Sequence, residues 1–261
     1  TQNVFDHNIS IATHGVNAGT SGDGRDGSSF WFRGFNHIVR NNVAADAMSS
    51  TVPAIVSSSA YYFAWNAGSS ANTLIPLRRG ADLAQGQQGT DWDLVNMQLI
   101  PIPEFNNNEA YHISTGLSTW TLGTSGYGPT NIGETLINNF KVWNAWEEAY
   151  FMYPSMNVRM KNMVVRWEPR GGSINPIGIA CGDYWCEKIT LEDSDIQGVY
   201  TAIGHSSNKP SWTIKNSHFR TIGPAISMHL PATPGTRSHK PPETTLIKNV
   251  TYEAWPGYPL Q

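Results

Sequence analysis

An all-β solenoid is the fold this sequence predicts, and three observations predict it. Eight short segments share one pattern: an apolar residue, a polar residue, Asn or Asp, two variable positions and another apolar residue. Their recurrence along the chain is the signature of a coiled repeat, and the polar–apolar alternation within them has the strand period of two. The composition agrees. The 261 residues include 24 glycines and 16 prolines, which favour turns, and charged residues make up only 14% against a usual ~25%.

In chain order the segments centre on Asp6, Asn41, Asn107, Asn139, Asn162, Asp193, Asn216 and Asn249, at intervals of 35, 66, 32, 23, 31, 23 and 33 residues. Two residues before the centres stand Val4, Val39, Phe105, Ile137, Met160, Leu191, Ile214 and Ile247. Three residues after them stand Ile9, Ala44, Ala110, Val142, Val165, Ile196, Phe219 and Tyr252. Side chains two apart in a strand face the same way, so each apolar residue and the Asn after it are expected inward. Lys161, Glu192, Lys215 and Lys248 then face solvent. An inward Asn repeated once per coil can bond along the stack and satisfy amides that are costly to bury. The fold class is therefore a parallel β-solenoid with an inward Asn/Asp ladder. The longest interval needs extra material, and Ser57–Trp65, with Tyr61, Tyr62 and Phe63, is expected to form one more coil. Glu134–Trp146 is the nearest approach to a helix, but Asn138, Asn139 and Val142 suit a strand better.

The chain reads as one domain, 1–261. A net charge of −3 and a pI near 6.2 argue against a nucleic-acid surface, and no apolar run approaches the ~18 residues of a membrane span. Two cysteines, Cys181 and Cys186, either close a small disulfide loop or stay free, and too few partners surround them for zinc. The sequon at Asn249 falls in the inward column and is expected to carry no glycan. The chain opens on Thr1, as a mature or trimmed product would.

The residues of Val4–Ala45 carry a resemblance. They run Val-Phe-Asp-His-Asn-Ile-Ser-Ile-Ala, then a loop with Gly-Asp-Gly-Arg-Asp-Gly, then Ser-Ser-Phe-Trp-Phe-Arg-Gly-Phe-Asn-His-Ile-Val-Arg-Asn-Asn-Val-Ala-Ala. This resembles the right-handed parallel β-helix of fibrocystin-like proteins and of the cell-surface and secreted hyaluronan-degrading proteins related to them. Pro103–His112, with Phe105-Asn-Asn-Asn, is a shorter echo. The resemblance implies a right-handed single-stranded parallel β-helix, an extracellular or cell-surface location and a hyaluronan-like polysaccharide as partner. In that family the signature follows earlier coils and another β domain. Here the pattern starts at once, so the chain is expected to belong to a longer polypeptide or assembly whose further domains or subunits cap the first coil.

Chemistry on a β-helix is expected on outer strand faces. Asp23 and Asp26 sit three apart in a glycine-rich loop that lets both carboxylates reach one hard cation, which makes calcium the candidate cofactor. Arg33 and His37 follow on the next strand, where they can meet an anionic sugar. These four are the candidate catalytic residues, and the competing reading makes both Asp residues turn formers. Glu147 and Glu148 are candidates for substrate binding, with alternation allowing only one of them into a groove; the competing reading is a solvated turn. Trp92, beside Asp91 and Asp93 in an overhanging loop, and Trp120 are candidate sugar platforms. Glu109 and His112 can pair as acid and base, but unbroken alternation puts Glu109 inward. A polysaccharide-binding or polysaccharide-degrading protein, glycoside hydrolase or lyase, is the first reading. A structural or adhesive surface solenoid is the second.

Overall fold

The computed structural model describes residues 3–15, 27–49, 58–64, 74–78, 92–96, 99–125, 128–129, 133–153, 155–168, 175–182, 186–205, 211–228 and 245–256. Among these the protein is all-β, without an α-helix, and dominated by two long parallel sheets. The smaller has eight strands, in order Asn3–Asp6, His37–Arg40, Glu104–Asn106, Thr135–Asn138, Ser155–Lys161, Cys186–Glu192, Trp212–Lys215 and Leu246–Lys248. After each of them the chain enters the larger sheet, at Ile9–Ile11, Val43–Ala45, Glu109–Trp120, Lys141–Tyr153, Val164–Arg166, Asp195–Gln197, His218–Thr221 and Thr251–Ala254. Eight solenoid-like repeats result. They are the eight segments of the sequence pattern.

The junction between the two strands of a repeat explains the Asn column. His7, Asn41, Asn107, Asn139, Asn162, Asp193, Asn216 and Asn249 all have φ between 50° and 56°. This left-handed conformation is one that Asn and Asp tolerate better than other non-glycine residues. A residue so placed turns the chain and uses up one step of the alternation. The expected inward ladder is therefore an outer one. Asn107, Asp193, Asn216 and Asn249 are exposed, and Asn41, Asn139 and Asn162 are half-buried. The ladder itself exists. Asn41 Nδ2 donates to Asp6 Oδ1 at 2.9 Å, Asn139 Nδ2 to Asn107 Oδ1 at 2.9 Å and Asn249 Nδ2 to Asn216 Oδ1 at 3.2 Å.

A second, buried ladder lies one residue on. Asn8 and Asn42 donate through backbone and side chain to the next amide oxygen, Asn42 Oδ1 and Asn108 Oδ1, at 2.9–3.1 Å. Asn42 and Asn108 are fully buried, and their remaining hydrogens go to the carbonyls of Phe5 and Val39. Further along, Ser194 and Ser217 do the same work with hydroxyls, and Phe140 and Met163 fill the column with apolar bulk. Buried amides are tolerated here because their oxygens accept from the preceding repeat and their Nδ2 groups reach carbonyl or amide oxygens.

Two other expectations are corrected. Asp6 pairs with Arg40 and Phe5 with Val39, so His7 takes the corner of the first repeat. Phe5, not Val4, faces the core, while Val4 and Ile9 are exposed. Ser57–Trp65 is no extra coil either. Ser59–Ala64 is part of a third limb, an arm of the larger sheet that also contains Phe30–Arg33, Ile177–Cys181, Thr201–His205 and Ile226–Met228. Glu109–Trp120 and Lys141–Tyr153 bend from one limb into the other, with a register shift between Ile113 and Thr115. A side chain at Gly116 would collide with the carbonyl oxygen of Ala149, which explains the glycine at that bend. The long second interval also holds an antiparallel pair, Leu74–Arg78 with Trp92–Asn96.

Between the limbs lies one apolar core. In the early repeats it is aromatic, with Tyr61, Phe105 and Phe140 meeting edge to face at 5.2–5.9 Å between ring centres. In the later repeats it is mainly aliphatic, with Met160, Leu191, Ile196 and Ile214 fully buried beside Trp212 and Phe219. Cys181 and Cys186 form a disulfide, which resolves the pairing left open by the sequence and ties the third limb to the next strand of the smaller sheet.

Candidate functional site

The phase shift at each corner decides which side chains leave the larger sheet. Residues two and four positions after the corner face outward. This corrects the inward placement of Glu109 and brings polar and aromatic side chains from successive repeats side by side. Two clusters form on this face.

The first comes from Glu109–Trp120 and Lys141–Tyr153. Lys141 Nζ lies 2.8 Å from Glu109 Oε1, and the Tyr111 hydroxyl donates to Glu109 Oε2. The rings of Tyr111 and Trp143 stack with centres 4.6 Å apart and planes 5° from parallel. Cross-strand neighbours in register are ~4.8 Å apart, so the stack follows from pairing Tyr111 with Trp143. The Lys141 ammonium, then the Tyr111 hydroxyl, hold the Glu109 carboxyl below the usual range against the effect of burial. Burial, then the bond to Glu109, push the Tyr111 hydroxyl up to about 12. Tyr111 is thus a neutral donor, and Glu109 a fixed anion.

The second cluster comes from the next strands. Asp195 accepts from Arg166 Nη2 at 2.5 Å, from Gln197 Nε2 at 2.9 and 3.1 Å, and from His218 Nδ1 at 3.0 Å. Burial raises the Asp195 carboxyl, but the bonds from Gln197 and His218 and the charge of Arg166 outweigh it and hold it low. His218 Nε2 lies 3.6 Å from Glu253 Oε1, and Arg220 Nε lies 3.9 Å from Glu253 Oε2. The Arg220 guanidinium sits 5.0 Å from the centre of the Trp255 ring. The row from Glu109 through Lys141 and Val164 to Asp195 spans three strand spacings, about 14 Å.

The residues singled out from the sequence lie elsewhere. Asp23 and Asp26 are outside the described residues, as are the side chains of Arg33 and Trp92. Arg33 ends a third-limb strand opposite Ala64, and Trp92 begins the strand paired with Leu74–Arg78 rather than standing in an open loop. His37 is half-buried, with its ring 5.4 Å from Phe32 and 6.0 Å from Phe5, so it faces core aromatics. Trp120 is half-buried and stacked on Tyr153 at 4.0 Å. Glu147 is exposed, and Glu148 accepts from Thr115 Oγ1 at 3.1 Å. Burial, then the charge of Glu147, push the Glu148 carboxyl up to about 7, with the Thr115 bond acting the other way. His112 pairs with Asp46 at 2.7 Å rather than with Glu109. Asn249, expected inward, is exposed with its amide engaged to Asn216.

Sequence reasoning missed Tyr111, Trp143, Asp195 and His218 together. A signal was present: with the Asn taken as a left-handed corner, these residues fall at the outward positions. Among the described residues no group of three His, Cys, Asp or Glu side chains is placed to hold a metal ion. Compared with protein-family models, with curated proteins and with solved structures, the chain matches none of them.

Proposed function

We propose that this chain is a right-handed single-stranded parallel β-helix that binds a polysaccharide along the outer face of its larger sheet. The observation that carries the reading is the Tyr111–Trp143 stack beside the fixed Glu109–Lys141 pair. Sugar rings present flat C–H faces edged with hydroxyls. A stacked aromatic pair matches the faces, and oriented carboxylates, amides and cations match the rims. Right-handedness rests on the parallel crossovers between successive repeats, which take that hand in about 98% of cases. The Cys181–Cys186 bond supports an extracellular or cell-surface location, where disulfides persist.

A hyaluronan-like glycan is the candidate ligand through the resemblance of Val4–Ala45, and calcium would enter at Asp23 and Asp26. Three adjacent repeats supply Arg166, Asp195 and His218 to one spot, which favours a chemically active face over a plain adhesive one. The test is a panel of hyaluronan, pectin-like and neutral glycans, measured for binding and depolymerisation with and without chelator. Binding by the wild type that is lost in Trp143→Ala supports the reading. A wild type that binds no glycan, or a Trp143→Ala variant that binds as well as wild type, refutes it.

A further inference from the structure

His218 and Arg220 are two residues apart on one strand, so they leave the larger sheet on the same side. Their environments differ from that of Arg166. The Arg166 guanidinium is committed to three acceptors: the carbonyls of Val165 and Asp195 and the Asp195 carboxylate. Arg220 has the Trp255 ring beside it and a loose approach to Glu253, and among the described residues its Nε makes no hydrogen bond. An ionised carboxylate can only accept, so His218 donates from Nδ1 to Asp195, and in the neutral ring the lone pair is then on the outer nitrogen, Nε2. Among the described residues, the Glu253 carboxylate lies near both, at 3.6 Å from Nε2 and 3.9 Å from Arg220 Nε, on a side chain 61% exposed. An exposed, loosely held carboxylate between a base and a cation marks where the carboxylate of an acidic ligand would sit.

We propose that His218 is the base that cleaves a uronate-bearing glycan by β-elimination, with Arg220 holding the uronate carboxylate in place of Glu253. The inference rests on glycan binding by this face and adds the reaction and the residues that carry it. Hydrolysis of the usual kind needs two carboxyls about 5–9.5 Å apart facing the scissile bond. Here Asp195 is spent on three donors, and the outward groups are an imidazole, a guanidinium and the single Glu253 carboxylate that the ligand would displace. Arg220 neutralises the carboxylate and so acidifies the hydrogen on the adjacent ring carbon. His218 Nε2 takes that hydrogen as a proton, and the released electron pair forms a carbon–carbon double bond as the neighbouring C–O glycosidic bond breaks. The departing oxygen takes a proton from water, and His218 returns its own to solvent. No oxidant or second substrate is needed. Asp195 is a positioning residue: it fixes the His218 tautomer and, with Arg166 and Gln197, its orientation.

The test uses the full chain with hyaluronan, polygalacturonate and a neutral glycan, read by calorimetric binding, by reducing ends and by ultraviolet absorbance of the unsaturated product. Expected are absorbance and reducing ends rising together on an acidic glycan and not on the neutral one. His218→Gln should bind as wild type and lose at least a hundredfold in rate, and Asp195→Asn should lower kcat with little change in KM. Melting curves check that both variants fold. Glu253→Gln, at an exposed position, should lower KM by removing the competing carboxylate. Binding without any product overturns this inference and leaves the binding reading intact. Reducing ends without absorbance, or a folded His218→Gln that cleaves at the wild-type rate, also overturn it. Absence of binding to every glycan overturns the binding reading first.

Discussion

The two sheets are threaded by the same eight repeats, yet their outer faces are built for different tasks. On the smaller sheet, charges satisfy one another across strands. Arg40 donates to Asp6 at 2.9 Å, Asn138 to Asn106 at 2.9 Å, and Arg159 and Lys215 both close on Glu192, whose side chain is only 3% exposed. Its outward positions carry no aromatic ring among the described residues. The larger sheet presents a stacked Tyr–Trp pair, an imidazole with an outward nitrogen and an Arg without a firm partner. A closed network of ion pairs holds strands together and leaves little to offer a ligand. A face with open valences beside an aromatic platform stabilises less and recognises more.

That contrast breaks most readily at the platform. Trp143→Ala should weaken glycan binding about ten- to a hundredfold, since it removes half of the stack, while Arg159→Ala on the smaller sheet should leave binding unchanged. Isothermal titration with the same glycan reads both. Equal losses would mean that the two faces are not functionally distinct.

The second prediction concerns the support beneath both faces. Asn108→Leu should destabilise by about 1–3 kcal/mol, because it strips the buried Asn42 of the oxygen that accepts from both its backbone and its side chain. Asn107→Ala, on the exposed corner ladder one residue away, should cost less, on the order of 1 kcal/mol or below. Chemical denaturation measures the pair. An equal cost at the two positions would contradict the assignment of the buried and surface ladders.

The smallest effects sharpen the comparison through pH. Burial alone would raise the Glu192 carboxyl, but the bonds from Lys215 and Arg159 win and hold it low. A carboxyl held low contributes stability above its unfolded value of about 4.3 and loses it as pH falls through the folded value. Glu192→Gln should therefore lower the melting temperature at pH 7, with the gap closing in acid. Glu148, pushed up to about 7, has the opposite sign: it costs stability as pH rises from about 4.3 towards about 7. Glu148→Gln should raise the melting temperature at pH 8, with the gain fading below about pH 4.3. Scanning calorimetry across pH checks both slopes.

The repeats were legible because period-two alternation and an Asn or Asp at or beside the corner recur in every coil. Their facing was not. One left-handed residue shifts the phase, so alternation carried straight from Phe105 to Ala110 puts Glu109 on the wrong side and hides the face that Tyr111 and Trp143 share. The first repeat misled for a related reason: His7 stands at the corner, and Asp6 beside it imitates the Asn. The third limb was obscured because every residue of Ser59–Ala64 is buried, so no polar alternation marks its facing. His218 carries no local motif. Its partner Asp195 lies 23 residues away and meets it only because consecutive repeats pair in register.

Hydroxyl-radical footprinting of side chains, with and without a saturating acidic oligosaccharide, tests the central claim most directly. Protection of Tyr111, Trp143, His218 and Trp255 is expected, with the exposed Leu136 and Leu246 of the smaller sheet unchanged. Protection confined to those two leucines, or no protection on the larger sheet under conditions where the sugar is bound, would contradict the claim.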